Sequence, residues 1–293
     1  MKRKFSIANF VIIVALGIAA LVSIIPFYTT ILLSFSKLGD ISSQKVFLLP
    51  SNFDLSSYKL LFAEGKATRG FIITVFVAVC GTALNMIVTT AGAYALSKKS
   101  LPGRNAIFNL IIFTMFFNGG LIPYFLTLQK LHLQNNILVM IIPVAVNTFY
   151  LILMKNFFNT IPASLEESAK IDGANDIIIL VRIALPVSLP IVAAISLFYS
   201  VDRWNEWWNA MIFINDTKLY PLQLVLRETL TNVNTIINGS SSAGPQTAQL
   251  VRNVYPDSVK AAIIVVSALP ILLVYPFLQK YFATGIMIGS IKG

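Results

Sequence analysis

The residues best equipped for chemistry form one run, Asp202-Arg203-Trp204-Asn205-Glu206-Trp207-Trp208-Asn209. Read as a helix, Asp202, Asn205, Glu206 and Asn209 fall at i, i+3, i+4 and i+7 and share a polar face, which Tyr199 extends by one turn. Trp204, Trp207, Trp208 and Met211 repeat on the opposite face. Neighbouring carboxylates and amides pair with hydroxyl groups, and aromatic rings stack on C–H surfaces. The run therefore suits the wall of a path for a polyhydroxylated molecule. The alternative is an aromatic belt at a membrane interface beside a salt-bridged polar face, with Arg203 as ion-pair partner of Glu206. Covalent chemistry is not expected. His132 is the single histidine and Cys80 the single cysteine, which removes His-centred triads, His-rich metal clusters and cysteine-based zinc sites. No Gly-x4-Gly-Lys-Ser/Thr run occurs, so the chain is expected neither to hydrolyse nucleotides by itself nor to hold a cofactor or metal.

The elements that position this run are membrane helices. The 293 residues are 56% hydrophobic and 12% charged, where a soluble domain carries roughly 25% charged residues. The net charge of +10 sits mostly at the flanks of apolar runs, which points to a membrane surface rather than nucleic acid. The expected architecture is all-α with six spans in a single membrane domain, about 10–35, 70–96, 106–128, 136–153, 184–214 and 259–282. The first follows Met1-Lys2-Arg3-Lys4 and exceeds the ~7–15 apolar residues of a signal peptide, so it reads as an uncleaved helix. Asn118-Gly119-Gly120 and Pro123 interrupt the third span, a break or kink with a packing or a gating role. Asn85, Asn118 and Asn147 are isolated amides within spans, either interhelical hydrogen-bond glue or part of a path. Dense Lys/Arg clusters (Lys2, Arg3, Lys4, Lys98, Lys99 and Arg104) put both termini in the cytoplasm, with 215–257 outside and the 202–209 run in the outer half of the fifth span.

That topology makes Ile161–Pro186 a cytoplasmic loop. Pro162 suits the first turn of a helix, Glu166 and Glu167 favour its N-terminal end, and Asp172-Gly173 stops it with a positive φ expected at Gly173. Asn175 is placed to cap a second short helix. Ser168, Ala169, Gly173 and Ala174 are small enough for another protein to approach the backbone. The bland alternative is an ordinary amphipathic surface helix.

Glu167-Ser168-Ala169, three residues, Gly173, nine residues, Ile183, one residue, then Leu185-Pro186 resembles the EAA loop of ABC importer permeases, with Ser168 where Ala is usual. Phe117-Asn118-Gly119-Gly120-Leu121-Ile122-Pro123-Tyr124, Tyr220-Pro221-Leu222-Gln223 and the closing Gly285–Gly293 look similar to the oligosaccharide branch, the permeases for aldouronates and other complex glycans. The resemblance implies a type I ABC importer permease fold in a bacterial cytoplasmic membrane. It also implies a second homologous permease, two cytoplasmic ATPase subunits that carry ATP and Mg, an extracytoplasmic solute-binding protein and an oligosaccharide substrate. In that family the loop couples to the ATPase, which assigns Glu166, Glu167, Ser168, Ala169, Asp172, Gly173, Ala174, Leu185 and Pro186 to coupling. The family also places a binding-protein contact near Gly239, Ser240, Ser241, Ser242 and Gly244, a stretch that by composition alone is a linker. Two other classes stay open: an ion-coupled secondary transporter, which calls for charged residues buried near mid-membrane and internal repeats, and a structural or signalling membrane protein.

Overall fold

A computed structural model describes residues 7–36, 53–63, 65–238 and 254–289, and among these every regular element is helical. The basic start Met1–Lys4, the tip Gly239–Pro245 and the end of the closing motif, 290–293, lie outside the described residues. The helix α1 (Ile7–Ser34) leaves apolar side chains exposed all round from Phe10 to Tyr28, the condition of a helix that lipid or another subunit must cover. After α2 (Ser56–Ala63) comes α3 (Lys66–Ser97), 32 residues long.

The third predicted span is two helices, α4 (Arg104–Phe116) and α5 (Leu121–Lys130), bent by 118°. The cause is local. Phe117 is extended, Gly120 takes φ 88°, and the Asn118 carboxamide oxygen accepts the Gly120 N–H at 2.9 Å. A residue with a Cβ is strained at that φ.

The stretch predicted as a fourth span, 136–153, is not one helix. A single 3-10 turn (Ile137–Met140) leads into an unwound segment, and α6 (Thr148–Phe158) begins only after Asn147. Unwound backbone at membrane depth must find partners within the protein, and side chains from two neighbouring helices supply them. Asn85 of α3 donates to the Val144 carbonyl at 2.7 Å, and Arg203 donates to the Met140 carbonyl at 2.8 Å. The Asn147 N–H donates to the Tyr199 hydroxyl at 2.9 Å, and that hydroxyl lies 2.7 Å from the Thr89 hydroxyl. These partners are spread over the chain, so hydrophobic periodicity could not reveal the break.

Two short helices follow, α7 (Ala163–Ile171) and α8 (Asp176–Ile179). The chain continues through a π turn (Leu180–Ala184) and Leu185–Val187 before α9 (Leu189–Trp204) and α10 (Trp208–Phe213). Between Asp176–Val187 and Leu189–Phe213 it bends by 88°, at Ser188 between Pro186 and Pro190, two residues that cannot donate to the preceding turn. The last two helices are α11 (Leu222–Asn238) and α12 (Pro256–Gly289). Among the described residues Phe10–Ser34, Lys66–Ser97 and Pro256–Val274 are long and apolar enough to cross a membrane, and the two bent pairs raise the number to five. The remaining predicted span, the fourth, is the partly unwound stretch.

The chain divides into two compact units, Met1–Ala67 with Leu226–Pro270 and Thr68–Val225 with Ile271–Gly293. In the first, the Ser34 and Tyr58 hydroxyls pair at 2.8 Å and those of Ser57 and Ser258 at 2.9 Å. In the second, one buried cluster gathers Val77, Val139, Met140, Ala210 and Phe213, and another gathers Ala93, Tyr94, Met154, Ile179, Ile195 and Tyr199.

Candidate functional site

The loop between α6 and α9 is built almost entirely from its own residues. Pro162 sits just before α7, so its missing N–H costs nothing there. At the other end Ala174 N–H reaches the Ala169 carbonyl at 2.9 Å and Gly173 N–H the Lys170 carbonyl at 3.1 Å, with Gly173 at φ 81°. This paired closure needs the left-handed residue that glycine supplies. Asn175 then accepts the Ile178 N–H at 2.9 Å and starts α8, as its position in the sequence predicts. Lys170 and Asp176 pair at 3.2 Å across the turn, and this bond raises the Lys170 ammonium above its ordinary pKa.

The loop presents an exposed face. Glu167 and Ser168 are uncovered, Ile171 is 87% exposed and Ile177 73% exposed. Ala169 and Ala174 turn inward and pack on the second buried cluster. Glu166 also turns inward, to form an ion pair with Lys98 just past the end of α3. Asp172 and Gly173 are exposed, Leu185 is half-buried, and Pro186 lies beside the bend. Two cations of the same side of the chain lie near the loop. Lys155 is buried with its ammonium 3.9 Å from the Phe108 ring centroid, and burial, with Arg104 nearby, lowers its pKa. Arg104 itself donates to the Leu96 carbonyl at 2.8 Å.

At the far end of the fifth span the predicted single polar face does not exist. The helix stops at Trp204, Asn205 and Trp207 leave helical geometry, and α10 restarts at Trp208. The Glu206 carboxylate drives the restart, accepting the Asn209 N–H at 2.9 Å at the N-terminus of the new helix. The four polar residues consequently separate. Asp202 is exposed and accepts the Tyr150 hydroxyl at 3.1 Å. Asn205 is exposed and donates to the Val201 carbonyl one turn back at 2.9 Å. Glu206 and Asn209 turn inward, where Asn209 accepts the Tyr124 hydroxyl at 2.8 Å. The tryptophans separate as well. Trp204 is buried edge-on against Phe71, Trp207 is half-buried, and Trp208 stays exposed.

The residue that joins these pieces is Arg203. It is 6% exposed, donates to the Met140 carbonyl and lies 3.9 Å from Glu206. Gly81 makes room for it, since a Cβ there would stand 2.8 Å from the arginine Cδ. A small residue one α3 turn before Asn85 was the signal available in the sequence. Asn85, Asn147 and Tyr199 are gathered at the unwound segment, whereas Asn118 stays at the bend between α4 and α5. Asn147 caps α6 by accepting the Phe149 N–H at 2.9 Å.

No family model matches the chain. It is 42% identical over 275 residues to the Bacillus subtilis polygalacturonan/rhamnogalacturonan transport system permease protein YtcP, covering 94% of each chain. It is 41% identical over 293 residues to Protein LplC of the same organism, covering 99% of this chain and 96% of the relative. Its structure superposes with a TM-score of 0.85 and 36% identity on a chain of a bacterial ABC transporter involved in the import of the acidic polysaccharide alginate, covering 96% of this chain and 99% of that one. The chain belongs to the carbohydrate ABC importer permeases. The permease is a multi-pass protein of the inner membrane and a subunit of a sugar transport system. It is not itself an enzyme, because ATP hydrolysis falls to partner ATPases, and membership implies a solute-binding protein and a second permease as further partners.

Proposed function

We propose that the permease passes an acidic oligosaccharide and takes its drive from two ATPase subunits docked on the loop 161–186. The reading has both termini and the loop in the cytoplasm, a heterodimer with a homologous permease, and ATP with Mg held by the ATPases. The observation that carries it is the exposed face of α7 and α8. Glu167, Ser168, Ile171 and Ile177 are uncovered on a turn rigidly closed at Gly173. Two isoleucines this exposed in a polar loop outside the apolar spans, with an acidic residue nearby, suit a protein groove. The substrate class rests on the relatives, whose names give polygalacturonan, rhamnogalacturonan and alginate.

Asp202 and Asn205, with exposed side chains, are the polar residues of the fifth span placed to meet substrate. Glu206 and Asn209 hold the break that aims them. A contact between the binding protein and Gly239–Gly244 stays part of the proposal. The test is the assembled complex in proteoliposomes. Glu167→Lys is expected to remove binding-protein-stimulated ATP turnover, and loaded binding protein is expected to stimulate with oligogalacturonide and not with a neutral oligosaccharide. Full stimulation in Glu167→Lys overturns the docking, and equal stimulation by the neutral sugar overturns the substrate class.

A further inference from the structure

We propose that Lys98 is a positioning residue that locks the ATPase-coupling helix α7 onto the end of α3, so that motion of the loop is delivered to that membrane helix. The proposal rests on the docking reading above and adds the route by which force leaves the loop. Lys98 follows the last residue of α3, where its N–H still reaches the Ala95 carbonyl at 3.2 Å. Its ammonium makes the ion pair with Glu166 and lies 3.9 Å from the Tyr94 ring centroid. Both side chains are four-fifths covered, at 19% exposure each, so solvent screens the pair less than a surface pair. The geometry also matches two helix dipoles. The cation sits at the C-terminal end of α3 and the anion in the first turn of α7.

Little else fastens this side of the coupling helix. None of the residues of α7 is fully buried, and Ala169 is its small contribution to the core. The receiving helix is anchored. Tyr94 is 5% exposed and packs edge-on against Phe158, while Ala93 and Leu96 are buried beside it. An open cleft of about 640 Å3 adjoins the pair, lined also by Lys99, Arg104, Glu167 and Lys170. Its surplus of cations leaves Glu166 strongly held, and Lys98 is the cation that engages it. A load applied to the exposed face of α7 therefore meets a stiff electrostatic link to α3 rather than a sliding apolar contact.

The experiment uses the complete complex, with its own ATPases, partner permease and binding protein, in proteoliposomes. Lys98→Glu is expected to leave the ATPase co-purifying while maximal stimulated transport falls roughly fivefold, the scale of about 1 kcal/mol for a partly covered pair. The binding-protein concentration for half-stimulation should stay unchanged. Combining Lys98→Glu with Glu166→Lys should restore most of the loss, and Lys98→Arg should behave as wild type. A second measurement does not depend on charge reversal. In a Cys80→Ser background, Lys98→Cys and Glu166→Cys joined by a short bis-maleimide should keep transport, because the two helices stay together throughout the cycle. Wild-type transport in Lys98→Glu, no recovery in the charge-swapped double variant, or transport abolished by the cross-link overturns the lock. If Lys98→Glu is silent while Glu167→Lys uncouples, only the lock falls. If both are silent, the docking itself is wrong.

Discussion

Residues 163–187 and 202–213 each carry two helical pieces joined across a tight turn, and they are held in opposite ways. The loop around Gly173 closes on itself: the Ala174–Ala169 bond, the Asn175 cap and the Lys170–Asp176 pair all link residues at most six apart. The turn around Asn205 is fixed from a distance, by Arg203 to the Met140 carbonyl, 63 residues away, and by Tyr124 to Asn209, 85 residues away. The first is a self-contained part that can move as a body on its Lys98 attachment. The second is a junction, and disturbing it disturbs three spans together. Substitutions at the loop are therefore expected to act on function with little cost to the fold, and substitutions of the buried residues of the junction to cost the fold first.

The largest effect expected from this contrast is at Arg203. Arg203→Met leaves Glu206 as a covered charge and the Met140 carbonyl, at the end of the 3-10 turn, without its donor, a loss on the order of 3–5 kcal/mol. The thermal midpoint of the detergent-solubilised complex should fall and the yield should drop, and adding Glu206→Gln should recover part of it by removing the stranded charge. An unchanged midpoint would show the junction to be as loosely held as the loop.

Gly173→Val comes next, and it should act on function alone. Nothing lies within 4 Å of a Cβ at this position, so the cost is purely conformational, roughly 1–2 kcal/mol for holding a side-chained residue at φ 81°. The loop should reopen, stimulated ATP turnover should fall severalfold, and the unfolding midpoint should not move. Gly173→Asn, which tolerates the left-handed region, should retain most of the activity. Equal loss in the valine and asparagine variants would place the effect elsewhere than in φ.

The same contrast explains what the sequence could show. Glycine, proline, asparagine and acidic residues act within a few positions, so Asp172-Gly173, Asn175 and the break at Asn118-Gly119-Gly120 were all readable in order along the chain. The 202–209 run looked like one amphipathic helix because spacing assumes continuity, and continuity ends where Glu206 caps a new helix. The unwound 141–147 segment was hidden for a related reason. Its backbone is held by Asn85 and Tyr199, and the Met140 carbonyl just before it by Arg203, all from helices distant in sequence, while its own residues remain as apolar as a span. Against the six-span expectation stand three continuous candidates among the described residues, or five where each bent pair is one span, plus a segment that enters the fold without a continuous helix.

A smaller and more selective effect is expected at Asn205, on the exposed side of the junction. Its amide donates one turn back to Val201 and is 3.5 Å from Gln223, a weak tether. Asn205→Ala should shift stability by no more than about 0.5 kcal/mol, as for surface substitutions generally. If the side chain meets the sugar, transport per assembled complex should fall by the worth of one hydrogen bond, about 0.5–1.5 kcal/mol or roughly two- to tenfold. Unchanged transport per complex removes Asn205 from the path and leaves Asp202 as the candidate.

The smallest effect is expected at Lys170, the most exposed tie of the loop. Its pair with Asp176 is open to water, and such pairs are screened and contribute little. The sign of its pH dependence gives the sharper test. The Asp176 hydrogen bond raises the Lys170 pKa in the folded protein, so the contribution is complete below the ordinary value of 10.5 and disappears only as pH rises through the raised one. Between pH 6 and 9 the lysine stays charged in both states. Lys170→Met should then leave transport and stimulated ATP turnover indistinguishable from wild type across that range, because the turn is already closed by backbone bonds at Gly173 and Ala174. A loss of coupling in Lys170→Met that is constant across that range would mean that the side-chain pair, rather than the backbone closure, holds the two coupling helices together.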